Sequence, residues 1–123
     1  GKKIKVHNHG NHSRDFTYIG DIVNGLDRVI LKSSVAMNTE TVPWNVYNIG
    51  SGEPIQLMDF INQLESSLGV IAEKDFIDLQ PGEMIETYAN MEHFEKAFGK
   101  IEMTKFSNGI QSFVDWYTNF YKV

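Results

Sequence analysis

The 123-residue sequence contains no cysteine. That excludes a disulfide framework and any zinc-thiolate site, and it argues only slightly for a cytoplasmic home. No apolar run approaches the length needed to span a bilayer. Gly1-Lys2-Lys3 is basic, but Ile4-Lys5-Val6-His7 is not the apolar stretch of a signal peptide, so none is expected. A basic patch is also missing: 11 Lys and Arg residues are scattered among 16 Asp and Glu, for a formal net charge of −5. Neither nucleic acid nor a membrane is therefore an expected partner. An acidic surface repels anions at long range, so a phosphate site would have to be local, built from one or two basic side chains and backbone N–H groups. With 41% hydrophobic and 22% charged residues, the composition is that of a globular domain and not of a disordered chain. We expect one domain over residues 1–123, located in the cytoplasm.

Hydrophobic periodicity gives a first order of elements. Residues 2–6 alternate and read as a strand, 8–13 as a polar loop, and Asp15 to Ile19 as a second strand. Asp21 is placed to cap a helix whose apolar stripe is Ile22, Val23, Leu26, Val29 and Ile30. Residues 33–43 read as an exposed connection closed by Pro43, and Trp44–Ile49 as a strand apolar enough to be covered on both faces. Leu57 to Leu68 has helical spacing, with Gly69 as its stop, and 73–79 reads as a strand. Asn90 and Thr104 are candidate caps for two last helices, the second with an apolar face of Ile110, Phe113, Val114, Tyr117 and Phe120. The order predicts an α/β fold, a small mixed sheet with helices. Few strands are available, and Trp44–Ile49 looks made to lie beside neighbours that this chain does not supply.

Several groups of residues invite a functional reading, each beside a plainer one. Arg14, after a polar loop, can offer its planar fork to a phosphate or carboxylate, or can simply pair with Asp15 or Asp21. Gln80-Pro81-Gly82-Glu83 holds two hydrogen-bonding side chains at a turn that suits sugar hydroxyls; it is also an ordinary β-turn. Gly50-Ser51-Gly52 lies between a strand and a helix, but the dinucleotide fingerprint needs a third Gly where Ile55 stands, so a plain turn is expected. His7, His9 and His12 begin the alternation of a metal site, yet it stops at His9 with no acidic residue at matching spacing, and no metal is expected. His93 is expected to be exposed. The aromatics Phe106, Phe113, Trp116, Tyr117, Phe120 and Tyr121 have the spacing of a core-facing helix; the alternative is an interface with a missing domain.

Taken in order, these segments resemble the extended short-chain dehydrogenase/reductase superfamily, and within it the UDP-glucuronate 4-epimerase group. The residues that carry the resemblance are Arg14 to Ile19 followed by Asp21-Ile22-Val23, then Tyr47-Asn48-Ile49-Gly50, then Leu57 to Gly69 with Asp59-Phe60-Ile61. They continue with Gln80 to Glu83 followed by Thr87-Tyr88-Ala89, and close on Asn108-Gly109-Ile110, Phe113-Val114 and Trp116-Tyr117. The resemblance covers the whole chain but only about the last third of such an enzyme: the C-terminal substrate-binding part, without the Rossmann half.

What the resemblance implies is binding. Arg14 matches a residue that contacts the nucleotide diphosphate, Glu83 an acidic residue near the ribose, Gln80 a position at the nucleotide rim, and the loop beginning at Asn8 a lining of the sugar-nucleotide cleft. The expected partners are a UDP-sugar and the N-terminal Rossmann half, with self-association of the isolated chain. The family's chemistry transfers hydride from C4 of the sugar to NAD and back to the other face, making precursors for surface polysaccharide. No NAD is expected on this chain alone. The family's Tyr-x-x-x-Lys is absent, since positions four after Tyr18, Tyr47, Tyr88 and Tyr117 hold Ile22, Ser51, Glu92 and Tyr121. No catalytic residue is therefore assigned. The sequence departs from the family where Gly20, Glu83 and Asn90 replace the usual Asp. The other reading is a free-standing, non-catalytic module that binds a sugar nucleotide or a protein.

Overall fold

The computed structural model describes residues 2–33 and 44–123. The expected connection over 33–43 lies almost entirely outside them. The chain is built from strands β1 (Ile4–His7), β2 (Ser13–Arg14), β3 (Ile55–Gln56) and β4 (Lys74–Ile77), and helices α1 (Ile19–Ser33), α2 (Leu57–Leu68), α3 (Glu92–Phe98) and α4 (Phe106–Tyr121). β1 and β4 pair in parallel, Ile4 opposite Lys74 and His7 opposite Ile77. β2 and β3 pair antiparallel, Ser13 opposite Gln56. A single parallel bridge from Ser13 to Glu86 ties the second pair to the segment after β4. The expected α/β class with a small mixed sheet is what forms.

α2 matches its expected bounds because its signals are local: an apolar stripe and a stop at Gly69, whose φ of 67° an L side chain rarely adopts. Ile61 on that stripe is buried, α2 packs on α4, and Ile110 and Val114 of α4 are buried as well. Val6, Phe94 and Ile101 complete the buried apolar core among the described residues. Asn90 accepts the Glu92 N–H at 2.8 Å, but the N-cap of α3 is Met91, without a side-chain cap bond, so Asn90 stands one residue before the position expected for it.

Several expectations fail, each for a tertiary reason. Asp15 to Ile19 is not a strand: only Ser13–Arg14 pairs, and α1 already begins at Ile19. Asp21 is not a cap but a buried side chain in the first turn of α1, accepting from Thr104 N at 2.9 Å and Thr104 Oγ1 at 2.8 Å. Thr104 is thereby taken from its expected role, and α4 starts without a side-chain cap. Trp44–Ile49 forms no strand, because no described strand lies beside it. Lastly, most of the apolar stripe of α1 faces outward: Val23, Leu26 and Ile30 are more than half exposed, Ile22 and Val29 are half-buried, and Asp21 and Gly25 are buried. The aromatic face of α4 behaves likewise beyond Ile110 and Val114, with Trp116 53% and Phe120 65% exposed, so the core reading fails there, while Phe106 at the start of α4 does pack inward, its ring 6.1 Å from Phe60 and 6.2 Å from Phe16.

Candidate functional site

β1 and β4 run in parallel, so the loops that leave them emerge at the same end. After β1 the chain enters a tight 3-10 turn, Asn8–Gly10, with Asn8 and His9 at φ of 48° and 51°. That left-handed geometry is tolerated best by Gly, Asn, Asp and His. After β4 comes the Gln80–Glu83 turn, closed by Glu83 N donating to Gln80 O at 3.2 Å. β2 then brings Arg14 against the same segment, where Nη1 donates to Ile85 O at 3.0 Å and Nη2 to Met84 O. Asn8, Arg14, Gln80 and Glu83 therefore share one end of the β1–β4 pair.

Their contacts are mostly internal. Asn8 donates to Asn11 O at 2.9 Å, and the Gln80 side chain to Asp78 O at 3.2 Å. Arg14 also reaches Ser13 O at 2.8 Å. It pairs with neither Asp15 nor Asp21. A guanidinium has five N–H donors, and these contacts leave Nε–H and one Nη2–H over, together with the full charge. Glu83 Oε2 accepts from Gln80 N at 2.9 Å, and Oε1 lies 2.6 Å from His7 Nδ1. The Gln80 N–H, and then charge on His7 and His12, hold the Glu83 carboxyl below the usual carboxylate range.

The histidines acquire partners that spacing along the sequence did not reveal. His9 Nε2 lies 2.9 Å from Asp78, as His7 does close to Glu83, both across the parallel pair. His12 is buried, and neither its Nε2 nor His7 Nδ1 makes a hydrogen bond, so the His7–Glu83 contact is an ion pair by distance alone. Among the described residues no group of three or more His, Asp or Glu is arranged to hold a metal. His93 is exposed and packs its ring 4.6 Å from that of Tyr47.

Asp15 is the residue that sequence reasoning passed over. Its carboxylate accepts from Ser51 Oγ at 2.6 Å, Ser51 N at 2.8 Å, Ala89 N at 2.9 Å and Gly52 N at 3.1 Å. Burial raises its pKa, but these hydrogen bonds outweigh that and hold it below the ordinary value. Local spacing could not find it: apart from a long contact to Thr17, its partners lie 36 to 74 positions away. The consequence for Gly50-Ser51-Gly52 is direct. The N–H groups of Ser51 and Gly52, which a phosphate would need, already point at Asp15. The turn is a structural joint and does not fit a dinucleotide phosphate.

Two clefts lie elsewhere. One of about 560 Å³ runs from Gly50–Glu53 to Lys100–Phe106. The other, about 610 Å³, is walled by Tyr18, Phe60, Ile110, Phe113 and Trp116. Asn8, Arg14, Gln80 and Glu83 line neither.

No family model matches the chain. It is 40% identical over 130 residues to Protein CapI of Staphylococcus aureus, covering 97% of this chain and 39% of that protein. It is 34% identical over 131 residues to UDP-glucuronate 4-epimerase 2 of Arabidopsis thaliana, covering 99% of this chain and 30% of that protein. In fold it matches the UDP-glucuronic acid 4-epimerase of Bacillus cereus, solved with UDP-glucuronic acid and NAD. The TM-score is 0.77 at 28% identity, over 98% of this chain and 36% of that one. The chain thus spans 30% to 39% of the length of these curated relatives. By sequence and by fold alike, it matches along its whole length the C-terminal portion of NAD-dependent nucleotide-sugar epimerases of the extended short-chain dehydrogenase/reductase type, UDP-glucuronate 4-epimerases among them.

Proposed function

We propose that this chain is the nucleotide-binding portion of a UDP-sugar 4-epimerase of the UDP-glucuronate/UDP-galacturonate type, working in the cytoplasm on precursors of surface polysaccharide. The observation that carries the reading is the gathering of Asn8, Arg14, Gln80 and Glu83 at one end of the β1–β4 pair, in a chain similar throughout to such enzymes. Arg14 supplies fixed positive charge and two unused donors for the diphosphate. Its three backbone contacts hold the fork in place, so little side-chain entropy is lost on binding. Glu83 and Gln80 supply acceptors and a donor for ribose hydroxyls. Among the described residues, no helix is long and apolar enough to cross a membrane.

Hydride transfer belongs to the rest of such an enzyme. NAD bound there would supply the hydride chemistry; this chain's part would be to hold the nucleotide end so that the sugar is presented to it. The outward stripe of α1, Val23, Leu26 and Ile30, suits packing against that other half, and so do Trp44 and Val46.

Calorimetric titration of UDP tests the reading. We expect saturable binding that weakens at least about tenfold in Arg14→Ala, as loss of a charge-assisted contact predicts. UDP affinity indifferent to both Arg14→Ala and Glu83→Ala would place the nucleotide elsewhere.

A further inference from the structure

Glu83 is held from two sides by two different elements. Oε2 is fixed by the backbone N–H of Gln80, within its own turn. Oε1 is met at 2.6 Å by Nδ1 of His7, the last residue of β1, whose backbone is locked in register opposite Ile77. A glutamate carries one more rotatable bond than an aspartate, so a carboxylate on that stem needs a second anchor to stay in one place. An ionised carboxylate has two acceptor positions on each oxygen. Gln80 N takes one position on Oε2, and His7 Nδ1 stands at ion-pair distance from Oε1 without the angle of a hydrogen bond, so each oxygen keeps an acceptor position open.

We propose that His7 is a positioning residue for Glu83, fixing its carboxylate as a paired acceptor for the two hydroxyls of a ribose. The inference rests on the nucleotide-binding reading above. The charged and titratable groups around the pair are His12, buried behind Glu83; the Arg14 guanidinium on the carbonyls of Met84 and Ile85; Glu86, bridged to Ser13; and the His9–Asp78 pair on the neighbouring turn. Of these, His7 alone contacts the carboxylate through a side chain. When the imidazole is protonated the contact is charge-assisted and strongest; when it is neutral, only the Gln80 anchor keeps its full strength.

Two measurements on the 123-residue chain test this, one without ligand and one with it. In the first, the Glu83 carboxyl is titrated by carbon-13 NMR in the wild type, His7→Phe and His7→Asn. The wild-type midpoint is expected below that of an ordinary glutamate, and His7→Phe should move it up. In the second, affinities for UDP and 2′-deoxy-UDP are compared at pH 6 and pH 8.5. Preference for the ribose form should fall about three- to tenfold in His7→Phe at pH 6, the worth of one hydrogen bond, and the gap between wild type and variant should narrow at pH 8.5. His7→Asn keeps a neutral donor near the place of Nδ1 and should recover part of the preference without its pH dependence. An unmoved Glu83 midpoint in His7→Phe overturns the proposal. So does a moved midpoint with an unchanged ribose preference. Absence of any UDP binding by the wild type overturns the nucleotide reading itself, and the ligand-free titration tells that failure apart.

Discussion

Asp15 shows how much one carboxylate can organise. It joins three stretches of chain, the end of β2, the Gly50–Gly52 turn and the Thr87–Ala89 segment, by accepting four hydrogen bonds from the latter two, beside a longer one from Thr17. Asp15→Asn keeps the size but replaces one acceptor oxygen with a donor, setting it against N–H groups that already point inward. We expect a loss of roughly 2–4 kcal/mol by denaturant titration, since the freed donors are left partly buried. The pH dependence has a definite sign. Because the folded-state pKa is lowered, the stabilisation from Asp15 is complete above the unfolded value near 4 and is lost as the pH falls through the folded one. Between pH 5 and pH 2 the wild type should lose stability more steeply than Asp15→Asn. Parallel slopes would show that the carboxylate is not the acid-sensitive joint.

Gly50 makes the same joint sensitive at the scale of the element. A Cβ there would lie 2.4 Å from the Ala89 Cβ and 2.9 Å from Asp15 Oδ2. Neither neighbour has a flexible end to withdraw. Gly50→Ala should therefore destabilise by about 1–3 kcal/mol, while Gly82→Ala, with open space but a φ of 87°, should cost about 1 kcal/mol through backbone strain alone. A thermal melt of Gly50→Ala at the wild-type temperature would show that the turn moves freely. The segment after Trp44 tells a related story. Tyr47 packs against Phe94 and Phe98, and Ile49 touches the site of Gly25 on α1, so the segment is anchored on one side and lacks strand partners on the other. Its apolar character is as read; what is missing is a neighbour to receive its hydrogen bonds.

At the scale of the molecule, the chain carries more apolar surface than its small core hides. Ile19, Val23, Leu26 and Ile30 recur at helical spacing on the exposed side of α1, and Phe113, Trp116 and Phe120 on that of α4. In isolation, such faces and the unpaired 44–49 segment should drive self-association. Light scattering over a concentration series should show mass rising with concentration, reduced by Val23→Lys with Ile30→Lys; a constant monomer mass at high concentration would mean that the faces are covered. The isolated chain should also bind no NAD and show no interconversion of UDP-glucuronate and UDP-galacturonate above blank. The donors of its one glycine-flanked turn are occupied by Asp15, and it has no Tyr-x-x-x-Lys. A micromolar NAD isotherm, or turnover by purified chain with added NAD, would refute this.

The sequence by itself determined whatever rests on neighbours a few residues apart. Helix α2 with its Gly69 stop, the strands around Val6 and Phe76, and the order of motifs that carries the resemblance were all legible because their signals are local. Only the tertiary structure decided where the polar groups find partners. Asp21 reads as a helix cap until Thr104 arrives from 83 residues away to claim it. His7 and His9 read as the start of a metal site until β4 lays Glu83 and Asp78 beside them. The stripe of α1 reads as core from periodicity alone, since a helix pattern says which face is apolar and not whether anything within the chain covers it. A hydrogen bond or a buried face depends on what the fold brings near, and that distance in space is not written in distance along the chain.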